Sequence, residues 1–286
     1  MSGLRYLITG ANGMLGRDLR IALADRDVTS PGRSDLDITD ESAVLEAVRG
    51  HDVVINAAAY TAVDQAESDE AAAYAVNAIG ARNLARGCSR AGARLVQIST
   101  DYVFDGLSTV PYPESAPRNP VSAYGRTKAA GEEFVLAELP DRSYVVRTAW
   151  LYGAHGKNFA STMLELAASR PTWSVVDDQR GQPTWTVDLA TSIVRMLDAD
   201  VPSGIFHGTS SGETTWYGFA RAILETVGLD PDRIEPTDSS NFIRPAPRPA
   251  FSVLGHTGWE AVGLPVIRDW RIALDAAAEH GGLDTR

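Results

Sequence analysis

The sequence predicts an α/β protein built on a doubly wound parallel sheet, with a smaller C-terminal lobe. Short β-branched segments alternate with helical segments through the first half of the chain. Nearly continuous apolar strands that alternate with helices are typical of a parallel sheet covered on both faces. Right-handed crossovers between such strands give the Rossmann-type arrangement. After Trp150, proline and tryptophan interrupt this rhythm, which indicates the separate lobe.

The predicted elements follow in order along the chain. Strands are predicted at 5–9, 27–30, 52–58, 94–100 and 143–149. Helices are predicted at 14–25, 40–50, 68–92, 123–139, 186–199, 214–228 and 268–282. The helix at 186–199 and a strand at 204–209 should return to the first sheet. The proline- and arginine-rich segment 234–253 is predicted to be a loop.

Composition disfavours several classes of protein. The chain of 286 residues carries a net charge of −11, whereas nonspecific binding to nucleic acid relies on basic patches. No apolar run approaches the roughly 18 residues of a membrane helix, and the N-terminal segment lacks the pattern of a signal peptide. Cys88 is the only cysteine, so we expect no internal disulfide and a cytoplasmic protein. The five histidines are scattered, so we assign no metal.

A glycine-rich turn joins the first predicted strand to the first helix. Gly10, Gly13 and Gly16 follow G-x-x-G-x-x-G spacing, and the helix begins near Met14. Such glycines permit close backbone approach to a pyrophosphate, which the N-terminus of the helix then faces. The spacing differs from the familiar G-x-G-x-x-G, and a purely structural turn is the alternative. The position at the first βα turn favours dinucleotide binding.

We therefore expect two functional regions. Residues 1–151 together with about 184–209 should form a dinucleotide-binding domain. Residues from about 152 to 183 together with 210–286 should form a substrate lobe that packs against the ends of the sheet.

The segments after the second and third strands should contact the rest of the dinucleotide. No acidic residue ends the second strand, and Arg33 is available to pair with a 2′-phosphate, so we expect NADPH, with NADH possible. Arg33 as a solvated loop charge is the alternative. Asp37 and Ile38 could flank the adenine. After the third strand, small or flat side chains could line the cofactor, although the alanines could serve packing alone: Ala59, Tyr60 and Thr61.

A tyrosine and a lysine near the start of one helix suggest acid–base chemistry. Tyr124 and Lys128 are four residues apart and so share a helix face. A nearby ammonium, together with an oxidised nicotinamide ring, favours the phenolate and should lower the pKa of the tyrosine. Thr100 ends the fourth strand, where open α/β sheets bind ligands, and could hydrogen-bond a carbonyl. Strand alternation allows only one of Ser99 and Thr100 to face the site. A surface Tyr–Lys pair is the alternative.

Together these features resemble the short-chain dehydrogenase/reductase superfamily in its extended form. A closer resemblance rests on a set of segments that occur in order between Thr9 and Leu254. These segments are TGANGMLGRDL, NAAAYTAVDQAE, STDYVFDG, NPVSAYGRTKAAGE, RTAWLYG, DQRGQPTW and RPAFSVL. Together they resemble the dTDP-4-dehydrorhamnose reductase family. That family reduces the 4-keto group of dTDP-4-dehydro-6-deoxy-L-mannose to dTDP-L-rhamnose. The resemblance therefore implies an NAD(P)H-dependent enzyme with a nucleotide-sugar substrate.

The resemblance also implies roles for individual residues. Tyr124 should protonate the oxygen at C4, Thr100 should orient that carbonyl, and Lys128 should bind the nicotinamide ribose and tune Tyr124. Contacts to the hexose are implied for Thr100, Asp101, Tyr102 and Trp150. Contacts to the cofactor are implied for Asn12, Gly13, Met14, Asp37, Ile38, Ala59, Tyr60, Thr61, Tyr124 and Lys128. The diphosphate and thymidine candidates, each of which could instead brace a loop, are Lys157, Asn158, Arg180 and Arg248. Trp150 could equally be a core residue.

Two alternatives to a reductase stay open at this point. Another nucleotide-sugar epimerase or dehydratase of the same fold could share these motifs, because Asp101 supplies the acidic residue that a dehydratase needs. A non-catalytic subunit resembling the beta subunit of methionine adenosyltransferase is the second alternative. Either a monomer or a homodimer is compatible with the sequence.

Overall fold

The computed structural model describes residues 3–283, so the outermost residues of both expected regions lie outside the described part. Its centre is a six-stranded sheet in which every neighbouring pair is parallel, with the order β10-β5-β4-β3-β1-β2. The strands are β1 (Arg5–Thr9), β2 (Asp27–Thr29), β3 (Val53–Asn56), β4 (Arg94–Thr100), β5 (Ser143–Thr148) and β10 (Gly204–His207). The predicted doubly wound α/β fold is confirmed.

Alternating side chains of each strand build one core on each face of this sheet, because successive residues of a strand point to opposite faces. Tyr6 and Ile8 belong to the core under one face, whereas Leu7 belongs to the core under the other. The first core includes residues of α1 (Met14–Ala22) and α8 (Thr186–Asp198). The second includes residues of α2 (Glu41–Val48), α5 (Ala81–Ala91) and α6 (Ala123–Glu138).

Helix α8 and strand β10 return to the large sheet, as the sequence predicts. Strand β10 pairs with β5, and Leu189 and Ile193 of α8 share the first core with Leu19 of α1. The chain therefore passes through the large sheet again before it continues into the last part of the second lobe.

The second lobe has its own apolar core, in which Trp173, Trp185 and Phe219 are buried. Its helices are α7 (Phe159–Ser169), α9 (Trp216–Thr226) and α11 (Trp270–Glu279). Its strands form four two-stranded sheets: β6 (Leu151–Tyr152) with β9 (Thr184–Trp185), β7 (Trp173–Val176) with β13 (Ile234–Thr237), β8 (Arg180–Gly181) with β12 (Thr214–Thr215), and β11 (Ser210–Ser211) with β14 (Ile267–Asp269).

The helix predicted at 68–92 is present without a break over residues 70–91, but its middle is π-helical. That segment contains α4 (Glu70–Tyr74), a π-helical stretch (Ala75–Gly80) and α5. Two more short helices, α3 (Val63–Ala66) and α10 (Thr257–Ala261), and helix α7 were not predicted. The segment predicted as a loop at 234–253 begins with strand β13, because its first residues pair with β7. Local sequence signals of two to four residues are too short to separate such strands from loops.

We predict that Leu19→Ala lowers the free energy of unfolding by about 2–5 kcal/mol, since Leu19 is fully buried and truncation leaves a cavity in the core. Ile21 lies on the same helix but is 66% exposed, so Ile21→Ala should change that free energy by no more than about 0.5 kcal/mol. Urea unfolding of both variants measures the difference. Equal losses in the two variants would contradict the assignment of the buried face of α1.

Candidate active site

The phosphate loop has the geometry that its glycines predict. Gly10 adopts a φ of +69°, and a Cβ built on it would lie 2.4 Å from the backbone nitrogen of Ala58. A Cβ on Gly16 would lie 2.2 Å from the Gly10 carbonyl oxygen. Both positions therefore exclude a side chain. No side chain caps the N-terminus of α1, which leaves amide groups of its first turn available to an anion.

A cavity of about 610 Å³ lies against this loop. Asn12, Gly13 and Met14 line it together with Arg17 and the segment 154–156. The loop thus combines a helix N-terminus, close backbone packing and open space, which is what a bound pyrophosphate requires.

The segment after β2 approaches the phosphate loop. A Cβ built on Gly32 would lie 3.5 Å from the side-chain nitrogen of Asn12, and the neighbouring Arg33 is exposed. The carboxylate of Asp37 accepts hydrogen bonds from the Thr39 backbone and hydroxyl, which lower its pKa. Ile38 is buried and packs against Gly80. Asp37 and Ile38 therefore already have contacts within the protein. An adenine would contact the parts of these side chains that remain accessible.

Asn77 fixes the segment that follows β3, and sequence reasoning missed it. Its side chain accepts a hydrogen bond from the Tyr60 amide at 2.9 Å and donates one to the Tyr60 carbonyl oxygen at 3.1 Å. It also donates to the hydroxyl of Thr127 on α6 at 3.1 Å. Tyr60 and Tyr124 pack in the same small cluster. Asn77 thus connects residues 59–61 to α6 by hydrogen bonds. This connection depends on the position of Asn77 in the π-helical stretch, which the sequence did not predict.

Helix α6 brings the predicted acid–base residues to the end of β4. Ser122 caps the helix by accepting a hydrogen bond from the Gly125 amide. Tyr124, in the first turn of this helix, lies close enough to Thr100 for that hydroxyl to affect the pKa of the phenol. The ammonium of Lys128 donates to the Ile98 carbonyl oxygen at 2.6 Å. The structure therefore brings Thr100, Tyr124 and Lys128 together.

Ser99 and Thr100 face different partners, as strand alternation requires. The Ser99 hydroxyl donates to Glu132 at 2.5 Å. The Thr100 hydroxyl donates to Asp101 at 2.9 Å and accepts from the Tyr102 amide. Of the two neighbouring hydroxyls, the one at position 100 lies beside Tyr124.

Burial shifts the pKa values of three groups in the site. Burial, together with Asp101, raises the pKa of Tyr124 above its ordinary value in the protein's own groups. The expected lowering also needs an oxidised nicotinamide ring beside the phenol, so it stays a prediction. Burial also lowers the pKa of Lys128 to about 8, although Glu132 opposes the shift. Burial raises the pKa of Asp101 to about 6, although the Thr100 hydroxyl donates a hydrogen bond to its carboxyl group. Desolvation is the largest cause of all three pKa shifts, because the three groups are packed away from water.

Tyr102 and Arg248 join the two lobes beside this site. The Tyr102 ring lies edge-on to Tyr124, with 5.6 Å between the ring centroids. Arg248 lies close enough to Tyr102 for its charge to oppose the rise in the Tyr102 pKa, and it forms an ion pair with Asp64 of α3. Among the diphosphate candidates, Arg248 is therefore the one that the structure places next to the predicted hexose contacts.

The other three diphosphate candidates have structural partners. Lys157 is exposed and lies 3.7 Å from Glu165. Asn158 caps α7. Arg180 forms an ion pair with Glu213 at 3.0 Å.

Trp150 is held in a strained conformation at the junction of the lobes. Its φ is +47°, which is rare for a bulky residue. Its ring stacks on Trp216 with 3.5 Å between the centroids and also lies against Gly181. One face of the indole is thus covered by a residue that sequence reasoning missed, and a sugar contact would use the remaining surface.

Comparison with known proteins identifies the family. The family model described as "RmlD substrate binding domain" matches residues 4–282. A dTDP-4-dehydrorhamnose reductase of Streptomyces griseus is 51% identical over 94% of this chain and 91% of its own length. The chain belongs to the dTDP-4-dehydrorhamnose reductase family. The predicted family is confirmed, and with it the Rossmann-type architecture.

Two further relatives are informative about the substrate and the cofactor. A dTDP-4-keto-6-deoxy-D-glucose reductase of Streptomyces niveus is 51% identical over 96% of both chains. A dTDP-4-dehydrorhamnose reductase of Bacillus anthracis, solved in complex with NADP, is 37% identical with a TM-score of 0.93 and covers 97% of this chain and 99% of its own. A nicotinamide cofactor therefore fits the family to which this chain belongs.

Two properties of residues 3–283 complete the description of this family member. No helix in that range combines the length and apolar composition that a membrane crossing requires. His, Cys, Asp and Glu side chains in the same range form no group of three or more that could hold a metal ion.

We predict that the effect of Asp101→Asn on stability depends on pH. Because the pKa of Asp101 is raised in the folded protein, ionisation costs stability as pH rises from about 4 to 6. The asparagine variant lacks this cost, so its free energy of unfolding relative to the wild type should rise by roughly 2–3 kcal/mol between pH 4 and pH 7. Urea unfolding at the two pH values measures the change.

Asp105→Asn is the matched control. Hydrogen bonds lower the pKa of Asp105, so its ionised form stabilises the fold and that stabilisation is lost as pH falls. The two variants should therefore change with pH in opposite directions. A pH-independent effect of Asp101→Asn would mean that this carboxyl group is not desolvated.

Proposed function

We propose that the protein is an NAD(P)H-dependent reductase that converts dTDP-4-dehydro-6-deoxy-L-mannose to dTDP-L-rhamnose, the last step in making this sugar donor. The observation that carries the proposal is the convergence of Thr100, Tyr124 and Lys128 at the end of β4, on the same sheet as the phosphate loop. The Streptomyces griseus relative supports the reaction, and the convergence of these three groups favours an enzyme over a non-catalytic subunit.

The side chains of the site can deliver a proton to a carbonyl oxygen. A bound reduced nicotinamide supplies the hydride in this chemistry. Because burial raises its pKa, Tyr124 keeps its proton near neutral pH and can donate it to the oxygen at C4, which becomes a hydroxyl. Thr100 lies beside Tyr124 and can orient the same oxygen. Lys128 places an ammonium one helical turn away, where it stabilises the phenolate that remains.

The cofactor would be held by the phosphate loop and the segments after β2 and β3. Gly10 and Gly16 shape the turn, the first-turn amides of α1 would meet the pyrophosphate, and Asn12, Gly13 and Met14 line the cavity there. Exposed Arg33 would pair with a 2′-phosphate, which supports NADPH as the preferred form. Further contacts are proposed for Asp37, Ile38, Ala59, Tyr60, Thr61, Tyr124 and Lys128.

The hexose would lie between the end of β4 and the second lobe. Asp101 and Tyr102 follow Thr100 directly, and Trp150 follows β5 on the neighbouring strand. This arrangement supports the proposed division into a dinucleotide-binding domain (1–151 with about 184–209) and a nucleotide-sugar lobe (about 152–183 with 210–286). We also propose a cytoplasmic monomer or homodimer, and the single buried thiol Cys88 agrees with a reducing compartment.

A second candidate substrate comes from the Streptomyces niveus relative, which is equally similar and is named for a 4-keto-6-deoxy-D-glucose. Both reactions reduce a 4-keto group of a dTDP-sugar. The same residues would serve either, and the two candidates differ in stereochemistry of the sugar.

We predict that purified protein oxidises the reduced cofactor when given either 4-keto sugar, with the L-mannose form the better substrate. Tyr124→Phe should lower kcat by roughly 10²–10⁴-fold because it removes the proton donor, while cofactor affinity largely survives. Absorbance of the reduced nicotinamide follows the reaction. Tyr74→Phe, at an exposed tyrosine, is the control and should react normally.

Two outcomes would overturn parts of this proposal. Turnover of either sugar without net cofactor oxidation would indicate an epimerase or dehydratase. Near-normal kcat in Tyr124→Phe would remove Tyr124 from its role while leaving the reaction intact.

We predict that Arg33→Ala weakens NADPH binding roughly tenfold or more but leaves NADH binding nearly unchanged, because only NADPH carries the 2′-phosphate that the guanidinium would pair with. Fluorescence titration of the two reduced cofactors gives the affinities. Arg49→Ala, at an exposed arginine paired with Glu46, should change neither affinity. Equal weakening of both cofactors would show that Arg33 does not distinguish them.

A further inference from the structure

Three consecutive residues of β4 lie against successive turns of α6. Thr100 lies beside Tyr124, the Ile98 carbonyl oxygen accepts from Lys128, and the Ser99 hydroxyl donates to Glu132. The helical residues are spaced by four, so they form one stripe along the helix. The proposed chemistry uses the first two contacts. It gives no role to the third, although that hydrogen bond, at 2.5 Å, is as short as the one from Lys128 at 2.6 Å.

Glu132 is fully buried and carries a charge. Its carboxylate accepts two parallel hydrogen bonds from Arg147 of β5, at 2.9 and 2.8 Å, and Arg147 is 1% exposed. Arg118, in the loop before α6, lies 3.3 Å from the same carboxylate. These hydrogen bonds and charges hold the pKa of Glu132 below its usual value despite burial. Glu132 is therefore an anion in the interior.

The other titratable groups around the pair do not supply that negative charge. His207 of β10 lies 3.3 Å from Arg147, and burial beside this arginine lowers its pKa to about 3, so it is neutral near pH 7. Glu114 contacts Arg147 through its backbone carbonyl oxygen, while its carboxylate accepts from Thr257 and Gly258 of the second lobe. Glu132 is the charged group that raises the pKa of Lys128 against desolvation.

Stability alone is a weak reason for such a pair. Burying two charges costs desolvation, and apolar residues of similar volume often serve a core equally well. A buried anion one turn from a buried ammonium has a more specific effect, because it favours the charged form of that ammonium.

The presence of a lysine, and not an arginine, at position 128 is also informative. Only two of the 26 lysine and arginine residues are lysines, Lys128 and Lys157. An arginine stays charged at any pH that the protein experiences, whereas a buried lysine readily loses its proton. Lys128 is the buried one of these two lysines, and its charge depends on what surrounds it.

We propose that Glu132, anchored by Arg147, is a positioning residue that keeps the Lys128 ammonium charged and fixes the end of β4 against α6. The proposal rests on the proposed function only in assigning Lys128 to the reaction. The proposal concerns the charge of Lys128, and this charge can be measured without substrate.

The experiment is NMR titration of protein labelled with ¹³C at the lysine ε-carbons. The spectrum has two lysine signals, and 74% exposed Lys157 is an internal reference. In Glu132→Gln the Lys128 titration should move to lower pH by about one unit or more, while Lys157 stays unchanged. Glu70→Gln, which removes an exposed carboxylate bound to Arg126 of the same helix, should move neither signal.

A double variant guards against misfolding. Glu132→Gln leaves Arg147 unpaired, so Glu132→Gln with Arg147→Met removes both charges and should still shift the Lys128 titration downward, by less than the single variant. The basic limb of kcat against pH should move in the same direction in either active variant. An unchanged Lys128 titration in a folded variant would overturn the proposal. Failure of the reductase assay would leave this titration unaffected, so the two proposals fail separately.

Discussion

The site depends on the contact between α6 and the carboxyl end of β4. Tyr124, Lys128 and Glu132 lie on one stripe of the helix, next to three consecutive strand residues. Lys128 binds the backbone carbonyl oxygen of Ile98, Glu132 binds the hydroxyl of Ser99, and Tyr124 lies beside Thr100. The distance between a proton donor and its neighbouring cation is thereby set by two rigid elements and not by a loop.

Desolvation then sets the protonation states of this site. It raises the pKa of Tyr124 and Asp101 and lowers that of Lys128, since each shift favours the neutral form. Burial keeps the proton on Tyr124, which suits a proton donor, but it acts against the charge of Lys128. The tyrosine carries the proton that a carbonyl oxygen needs. The lysine lies near the point at which its charge can change, so a neighbouring anion has a large effect on it.

The second lobe takes part in this arrangement through buried polar contacts. Arg147 bonds the backbone of Glu114, whose carboxylate in turn holds residues 257 and 258. On the opposite side of the site, Arg248 reaches Asp64 and Tyr102. Each contact joins residues that lie far apart in the chain. The surface that would meet the sugar is therefore held in place by the same groups that hold the end of the sheet.

The sequence by itself determined the alternating fold, the phosphate loop and the positions of Tyr124 and Lys128, because strand and helix periodicity and short motifs are local signals. It did not reveal the contacts of Asn77, Trp216 and Arg147 or the protonation state of Tyr124. Those follow from contacts between distant segments, such as the stacking of Trp150 on Trp216 and the pairing of Glu132 with Arg147. Only the tertiary structure decides burial, and burial controls both the pKa values and the buried ion pair.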